Sequence, residues 1–93
     1  MERTVVDNEE RSRYELRSGE RVDGWIDYFR SDGVVAMTHA EMQPDLRNQG
    51  LGEEMVRDAL DDLRRRELEV RPLCPFVASY VKRHPEYDDL VAR

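Results

Sequence analysis

The stretch that decides the fold is Arg47-Asn48-Gln49-Gly50-Leu51-Gly52, because of what lies on either side of it. Residues 34–42 are apolar and β-branched, which predicts a strand. Residues 53–66 carry apolar side chains at helical spacing, which predicts a helix. A strand, a short loop with two glycines and a helix form an anion-binding arrangement, since the first helical turn has free N–H groups. A pyrophosphate is the natural occupant of such a loop.

The helix that follows the loop has the clearest pattern in the chain. Met55, Val56, Ala59, Leu60 and Leu63 fall on one side of a helix and form a single apolar stripe. Acidic residues in the first turn and arginines in the last turn suit the direction of the helix dipole. We therefore expect this helix to pack its apolar stripe against a sheet.

The remaining segments predict more strands and one more helix. Strands are expected at residues 4–8, 13–17, 22–30, 34–42 and 68–74, and a second helix is expected at residues 76–83. Ser31-Asp32-Gly33 is typical of a hairpin turn. The prediction is a mixed α/β (α+β) fold with two helices and a central sheet of about five strands. Four strands form an antiparallel meander, and a right-handed crossover adds one parallel strand.

Composition limits the classes of function. The 93 residues suit one domain, and a net charge of −6 argues against general affinity for nucleic acid or anionic membranes. Mean hydropathy is −0.84, and no apolar run approaches the roughly 20 residues needed to span a bilayer. The first residues lack a signal-peptide core, and a single cysteine, Cys74, suits a reducing compartment. We expect a cytoplasmic protein.

The pattern Arg47-x-x-Gly50-x-Gly52 resembles the acetyl-CoA-binding signature of the GNAT superfamily of N-acetyltransferases. The chain looks closer still to a subfamily of short, stand-alone GNAT-like proteins. The segments that carry this likeness are Gly24-Trp25-Ile26-Asp27-Tyr28, Thr38-His39-Ala40-Glu41, Pro72-Leu73-Cys74 and Tyr80-Val81-Lys82-Arg83-His84-Pro85-Glu86-Tyr87. The resemblance implies a minimal GNAT-like fold, with residues 1–93 forming a single acetyl-CoA-binding domain.

The resemblance also implies which residues bind acetyl-CoA. The backbone of Ala40 and Met42 would pair with the pantetheine arm as an added strand does. The loop amides would hold the pyrophosphate, with added charge from the Arg47 side chain. The loop residues assigned to this role are Arg47, Asn48, Gln49, Gly50, Leu51, Gly52 and Glu53.

The chain departs from the usual family pattern at the acceptor site. Typical members carry two helices between their first two strands, whereas about four polar residues stand there in this chain. The acceptor site is therefore expected to be open. Ala36 stands where many members have a glutamate base, and Lys82 stands where a tyrosine acid is common; Tyr80 is two positions away.

Other residues of this chain could act in catalysis. His39 and Glu41 share one face of a strand, and Cys74 ends the strand expected beside it. Both strand ends would then open toward the acetyl group. This pattern favours a general base, or a cysteine that accepts the acetyl group transiently. Each residue also has a structural interpretation: Cys74 as a small apolar side chain, His39 as a structural residue, and Glu41 as its hydrogen-bond partner. His84 is expected to cap the last helix. No metal is expected, because no ligand pair has zinc-motif spacing.

These observations predict an acetyl-CoA-dependent N-acetyltransferase acting on an amine. The open site and acidic charge favour a protein segment or a polyamine as acceptor. One alternative is a non-catalytic acyl-CoA-binding or sensing module that acts through a partner protein. Another is that a second protein, or a second copy of this chain, completes the acceptor site. We expect a monomer or a weak homodimer.

Overall fold

The computed structural model describes residues 2–93, and its five strands form one mixed sheet. The strands are β1 (Arg3–Asn8), β2 (Arg13–Ser18), β3 (Arg21–Ser31), β4 (Val34–Met42) and β5 (Glu69–Pro72). They lie side by side in chain order. Neighbouring strands from β1 to β4 are antiparallel, and β5 runs parallel to β4. The predicted meander with one parallel strand is confirmed.

Two α-helices follow the meander. They are α1 (Leu51–Arg65) and α2 (Pro75–Arg83), and β5 lies between them in the chain. Three short 3-10 helices complete the connections: Glu9–Arg11, Pro44–Leu46 and Pro85–Leu90. The first of these, together with Ser12, forms the whole connection from β1 to β2, so this connection is as short as the sequence indicated.

The β3–β4 hairpin sets the register of the longest strand pair. Asp32 and Gly33 have φ angles of 51° and 79°, the two positive values that a tight hairpin turn requires. Ser31 therefore pairs directly with Val34. The Asp-Gly sequence suits this turn because aspartate tolerates and glycine favours the left-handed region.

Helix α1 packs its apolar stripe on one face of the sheet. Its buried residues are Leu51, Met55, Val56, Ala59, Leu60 and Leu63. They belong to one core with the inward side chains of the sheet, such as Tyr14 and Ile26, and with Val77 and Tyr80 of α2. The helix begins at Leu51, two residues before the predicted start, because the buried Leu51 side chain fixes the first turn to the core.

Strand β5 is shorter than predicted. The expected strand covered residues 68–74, but pairing with β4 extends only from Glu69 to Pro72, opposite Val34 to Met37. The amides of Leu73 and Cys74 both donate to the Met37 carbonyl, which turns the chain away from β4. Within residues 2–93, no strand therefore pairs with the outer edge of β4 beyond Met37.

A bulge in β4 decides which side chains face the helices. Asp27 pairs with His39 and Tyr28 pairs with Met37, so Thr38 is an extra residue in the strand. Met37 lies in the core, and Ala40 packs against it. His39 consequently lies on the opposite face of the sheet, away from α1, because alternate residues of a strand face opposite sides.

That opposite face is polar and no α-helix of the described residues covers it. Glu15 is buried there at 1% exposure, beneath hydrogen bonds from Arg13, Arg17 and Asn8. The Arg13 guanidinium also lies 5.0 Å from the centre of the Trp25 ring. Among residues 2–93, no helix is both long enough and apolar enough to cross a lipid bilayer.

Candidate functional site

A cleft of about 420 Å³ lies where the outer edge of β4 meets the N-terminus of α1. Its lining residues are Ala40, Glu41, Met42, Leu46, Arg47, Asn48, Gly50, Leu51, Gly52, Glu53, Met55 and Phe76. The residues predicted to bind the cofactor all line this cleft, with the exception of Gln49. The Gln49 side chain instead donates to the Asp45 carbonyl at 3.3 Å.

The loop presents free backbone amides to the cleft. Asn48 and Gly50 have φ angles of 65° and 77°, which turn the chain sharply into α1. The first intrahelical bond runs from the Glu54 amide to the Gly50 carbonyl at 3.3 Å. The amides of the first three helical residues therefore have no acceptor within the helix. No side chain of residues 2–93 caps this end of the helix, so these donors suit an anion.

The edge of β4 offers a second set of backbone groups. The Gln43 amide donates to the Asp23 carbonyl on β3, whereas the Met42 carbonyl points outward and accepts from the Arg47 side chain. Because successive residues of a strand alternate direction, the backbone of Ala40 also points outward. An extended ligand could pair with this edge as an added strand does.

The Glu41 carboxylate links two cationic or ionisable side chains at the edge of the cleft. One oxygen lies 2.9 Å from His39 Nε2, and the other accepts from the Arg47 guanidinium at 2.8 Å. The hydrogen bond with His39 and the charge of Arg47 both hold the pKa of Glu41 below its usual value. The structure thus brings His39, Glu41 and Arg47 together.

Cys74 lies elsewhere. Its side chain is 4% exposed and belongs to the hydrophobic core, at the start of α2. Its amide donates to the Met37 carbonyl, and its carbonyl accepts from the Ala78 amide. No hydrogen bond joins Cys74 to His39 among the described residues, contrary to the expectation that the two strand ends open toward one place. The Thr38 bulge explains the difference, because it directs His39 to the opposite face.

Phe76 is a lining residue that the sequence interpretation missed. A methyl group added at Gly52 would lie 3.0 Å from the Phe76 ring, so the glycine allows the ring to approach α1 closely. Phe76 is 40% exposed and gives the cleft an apolar wall. The signal in the sequence was Gly52 itself, since a glycine within a helix often marks a close approach.

His84 lies at the C-terminal end of α2, as predicted, and not in the cleft. Its ring stacks on Tyr80, with 4.0 Å between the ring centres. Tyr80 is buried, and this burial raises the pKa of its hydroxyl. Within residues 2–93, no cluster of three or more His, Cys, Asp or Glu residues could hold a metal ion.

Comparison with known proteins is consistent with this geometry. Residues 13–90 match the family model of GCN5-related N-acetyltransferases. The fold is similar to the solution NMR structure of a GCN5-like protein from Staphylococcus aureus, with a TM-score of 0.70. The sequences are 16% identical, and the match covers 96% of this chain and 87% of that chain. At this identity the likeness shows the fold alone. A comparison with curated protein sequences finds no match.

Proposed function

Because the chain belongs to the GCN5-related N-acetyltransferase family, we propose that it transfers acetyl from acetyl-CoA to an amine on an exposed acceptor. Members of this family generally use acetyl-CoA. The observation that carries the proposal is the cleft itself. In one place it combines the outward edge of β4 with the uncapped N-terminus of α1.

The residues of the cleft fit the chemistry of coenzyme A. The outward backbone of Ala40 and Met42 would pair with the amides of the pantetheine arm. The amides of Leu51, Gly52 and Glu53 would receive the pyrophosphate, because they lie at the positive end of α1. Bound acetyl-CoA would supply an acetyl group activated as a thioester.

His39 is the residue best placed to accept a proton from the acceptor amine. Its side chain is 58% exposed, and Nε2 lies 2.9 Å from Glu41. With the hydrogen on Nε2 donated to Glu41, Nδ1 is free to accept a proton. Glu41 then holds the ring in that tautomer. Direct transfer to the amine is favoured over a cysteine intermediate, because the Cys74 thiol is buried in the core.

The acceptor is proposed to be a flexible, cationic amine, such as a protein segment or a polyamine. Both α-helices pack into the core on the other face of the sheet, so within residues 2–93 no α-helix covers the face that carries His39 and a long acceptor could reach it. Asp27 pairs with His39 across β3 and β4, and Glu41 lies two residues further along β4. These carboxylates favour a positively charged group. We propose that the protein acts as a monomer or weak homodimer in the cytoplasm.

Two measurements test the proposal. Titration calorimetry with coenzyme A measures binding, and release of free thiol from acetyl-CoA in the presence of lysine peptides or spermidine measures turnover. We expect both binding and amine-dependent release. Binding without release would favour the alternative, a non-catalytic acyl-CoA-binding module, whereas an absence of binding would overturn both.

The catalytic assignment needs a matched pair of variants. His39→Ala should lower the turnover rate by about 100-fold or more, the range typical of losing a general base. His84→Ala removes the other histidine, which stacks on Tyr80 at the end of α2, and should leave turnover close to wild type. Equal losses in both variants would contradict the role proposed for His39. Circular dichroism would confirm that each variant folds.

A further inference from the structure

Arg47 makes two contacts with residues that line the cleft. Its Nη2 donates to Glu41 at 2.8 Å, and its Nε donates to the Met42 carbonyl at 3.3 Å. Both acceptors belong to the edge of β4, whereas Arg47 itself comes from the loop before α1. The side chain therefore joins the loop to the end of the strand.

These contacts occupy groups that a ligand in the cleft needs. The Met42 carbonyl is one of the outward groups of the β4 edge, so a ligand amide that pairs there must share this oxygen with Arg47 or displace it. A phosphate at the start of α1 competes for the other end of the contact. Guanidinium groups form strong, charge-assisted hydrogen bonds with phosphate oxygens.

We propose that Arg47 is a latch: coenzyme A binding draws it away from Glu41 and leaves His39 as the remaining partner of that carboxylate. This inference rests on the proposed function, since it takes coenzyme A as the ligand. It adds a coupling between the cofactor loop and the His39–Glu41 pair. Arg47 thus acts on His39 as a positioning residue, through Glu41.

The contact between Arg47 and Glu41 should lower the affinity for coenzyme A by a measurable factor. Glu41 and Arg47 side chains are 33% and 54% exposed, so their ion pair is only weakly stabilising. Breaking a surface pair of this kind weakens ligand affinity by about two- to fivefold. Removing the Glu41 charge should therefore strengthen coenzyme A binding by about that factor.

A double-mutant cycle separates the latch from a general effect of charge. Coenzyme A affinity is measured by calorimetry for the wild type, Glu41→Gln, Arg47→Gln and the double variant. We expect Glu41→Gln alone to bind about two- to fivefold more tightly than the wild type. In the Arg47→Gln background, the same change should have little effect, because no latch remains to be released.

Other outcomes would overturn the inference. An equal gain from Glu41→Gln in both backgrounds would show simple relief of repulsion between a carboxylate and an anionic ligand. Unchanged or weaker binding by Glu41→Gln would show that the contact does not oppose the ligand. If the wild type binds no coenzyme A, the proposed function fails and the latch fails with it.

A second measurement follows the contact without turnover. In an NMR titration, the Arg47 Nε–H signal should shift as coenzyme A is added, and this signal is assigned by its loss in Arg47→Gln. An Arg47 signal that stays unchanged when the neighbouring loop amides shift would contradict the latch, although it would leave the proposed binding site intact.

Discussion

At the scale of single residues, Gly50 determines how the chain enters α1. Its φ angle of 77° lies in the left-handed region, and a side chain added there would meet no other atom within 4 Å. The requirement for glycine is therefore a property of the backbone alone. A residue that tolerates this conformation should replace glycine better than one that does not.

Gly50→Ala should lower the free energy of unfolding by about 1 kcal/mol, because alanine is strained at positive φ. Gly50→Asn is the matched control, and its loss should be smaller because asparagine visits the left-handed region more readily. Urea denaturation of the two variants measures the difference. Equal losses would mean that side-chain contacts, and not the backbone conformation, determine the effect.

The burial of Cys74 leads to a prediction about its reactivity. At 4% exposure within the core, the native thiol should react with iodoacetamide far more slowly than the same thiol in concentrated urea. Incubation with acetyl-CoA should likewise leave Cys74 unmodified, as judged by mass spectrometry of the intact protein. Rapid acetylation of Cys74 in the folded protein would instead support transfer through an acetyl-cysteine intermediate.

At the scale of elements, the sequence predicts long periodic segments well and short pairings poorly. The apolar stripe of α1 and the Val34–Met42 strand are both present in the structure, because each follows directly from side-chain periodicity. The end of β5 depends instead on the Met37 carbonyl accepting from both Leu73 and Cys74. That is a contact between distant segments, which local patterns do not indicate.

The residues of the candidate site also differ in how well the sequence predicts their positions. The cofactor residues of the loop could be placed from the Arg47-x-x-Gly50-x-Gly52 pattern, and most of them line the cleft. The face of the sheet that carries His39 could not be predicted, because the Thr38 bulge reverses the alternation of side chains between the two faces halfway along β4. A strand pattern read without the bulge puts His39 on the wrong face.

Helix α1 should contribute much of the stability through its buried stripe. Leu60 is fully buried, so Leu60→Ala should lower the free energy of unfolding by about 2–5 kcal/mol, since it removes apolar contacts and leaves a cavity. Glu54→Ala on the exposed side of the same helix is the control. Its effect should stay within about 0.5 kcal/mol. Thermal or urea unfolding of both variants checks the contrast.

At the scale of the whole molecule, the sheet separates an apolar face from a charged face. The apolar face carries α1 and α2, while the charged face holds Glu15 beneath Arg13 and Arg17. Burial raises the pKa of Glu15, but the hydrogen bonds from Arg13, Arg17 and Asn8 outweigh it, so the pKa lies below its usual value. The charged form of Glu15 is therefore favoured by folding.

The lowered pKa of Glu15 determines the direction in which the free energy of unfolding changes with pH. A carboxylate whose pKa is lower in the folded state stabilises the fold above its unfolded pKa of about 4.3. The stabilisation is lost as the pH falls through the folded-state pKa. Glu15→Gln should lower the free energy of unfolding by roughly 1–3 kcal/mol at neutral pH, because it leaves the partly exposed Arg13 and Arg17 guanidinium groups without their buried, charged acceptor.

The difference between wild type and Glu15→Gln should shrink on acidification, which urea denaturation at a series of pH values measures. Glu20→Gln, at an exposed position near the same residues, should behave like the wild type throughout. A Glu15→Gln deficit that stays constant from neutral to strongly acid pH would contradict the assigned charge state.

The end of the described chain has a consequence for self-association. Val91 forms a parallel β-bridge with Val70, and the Ala92 amide donates to the Val70 carbonyl at 2.8 Å. This segment therefore covers part of the outer edge of β5. An unshielded strand edge can recruit a strand from another molecule and start aggregation. Residues 91–92 therefore occupy part of this edge, and we expect a change that displaces them from Val70 to favour aggregation.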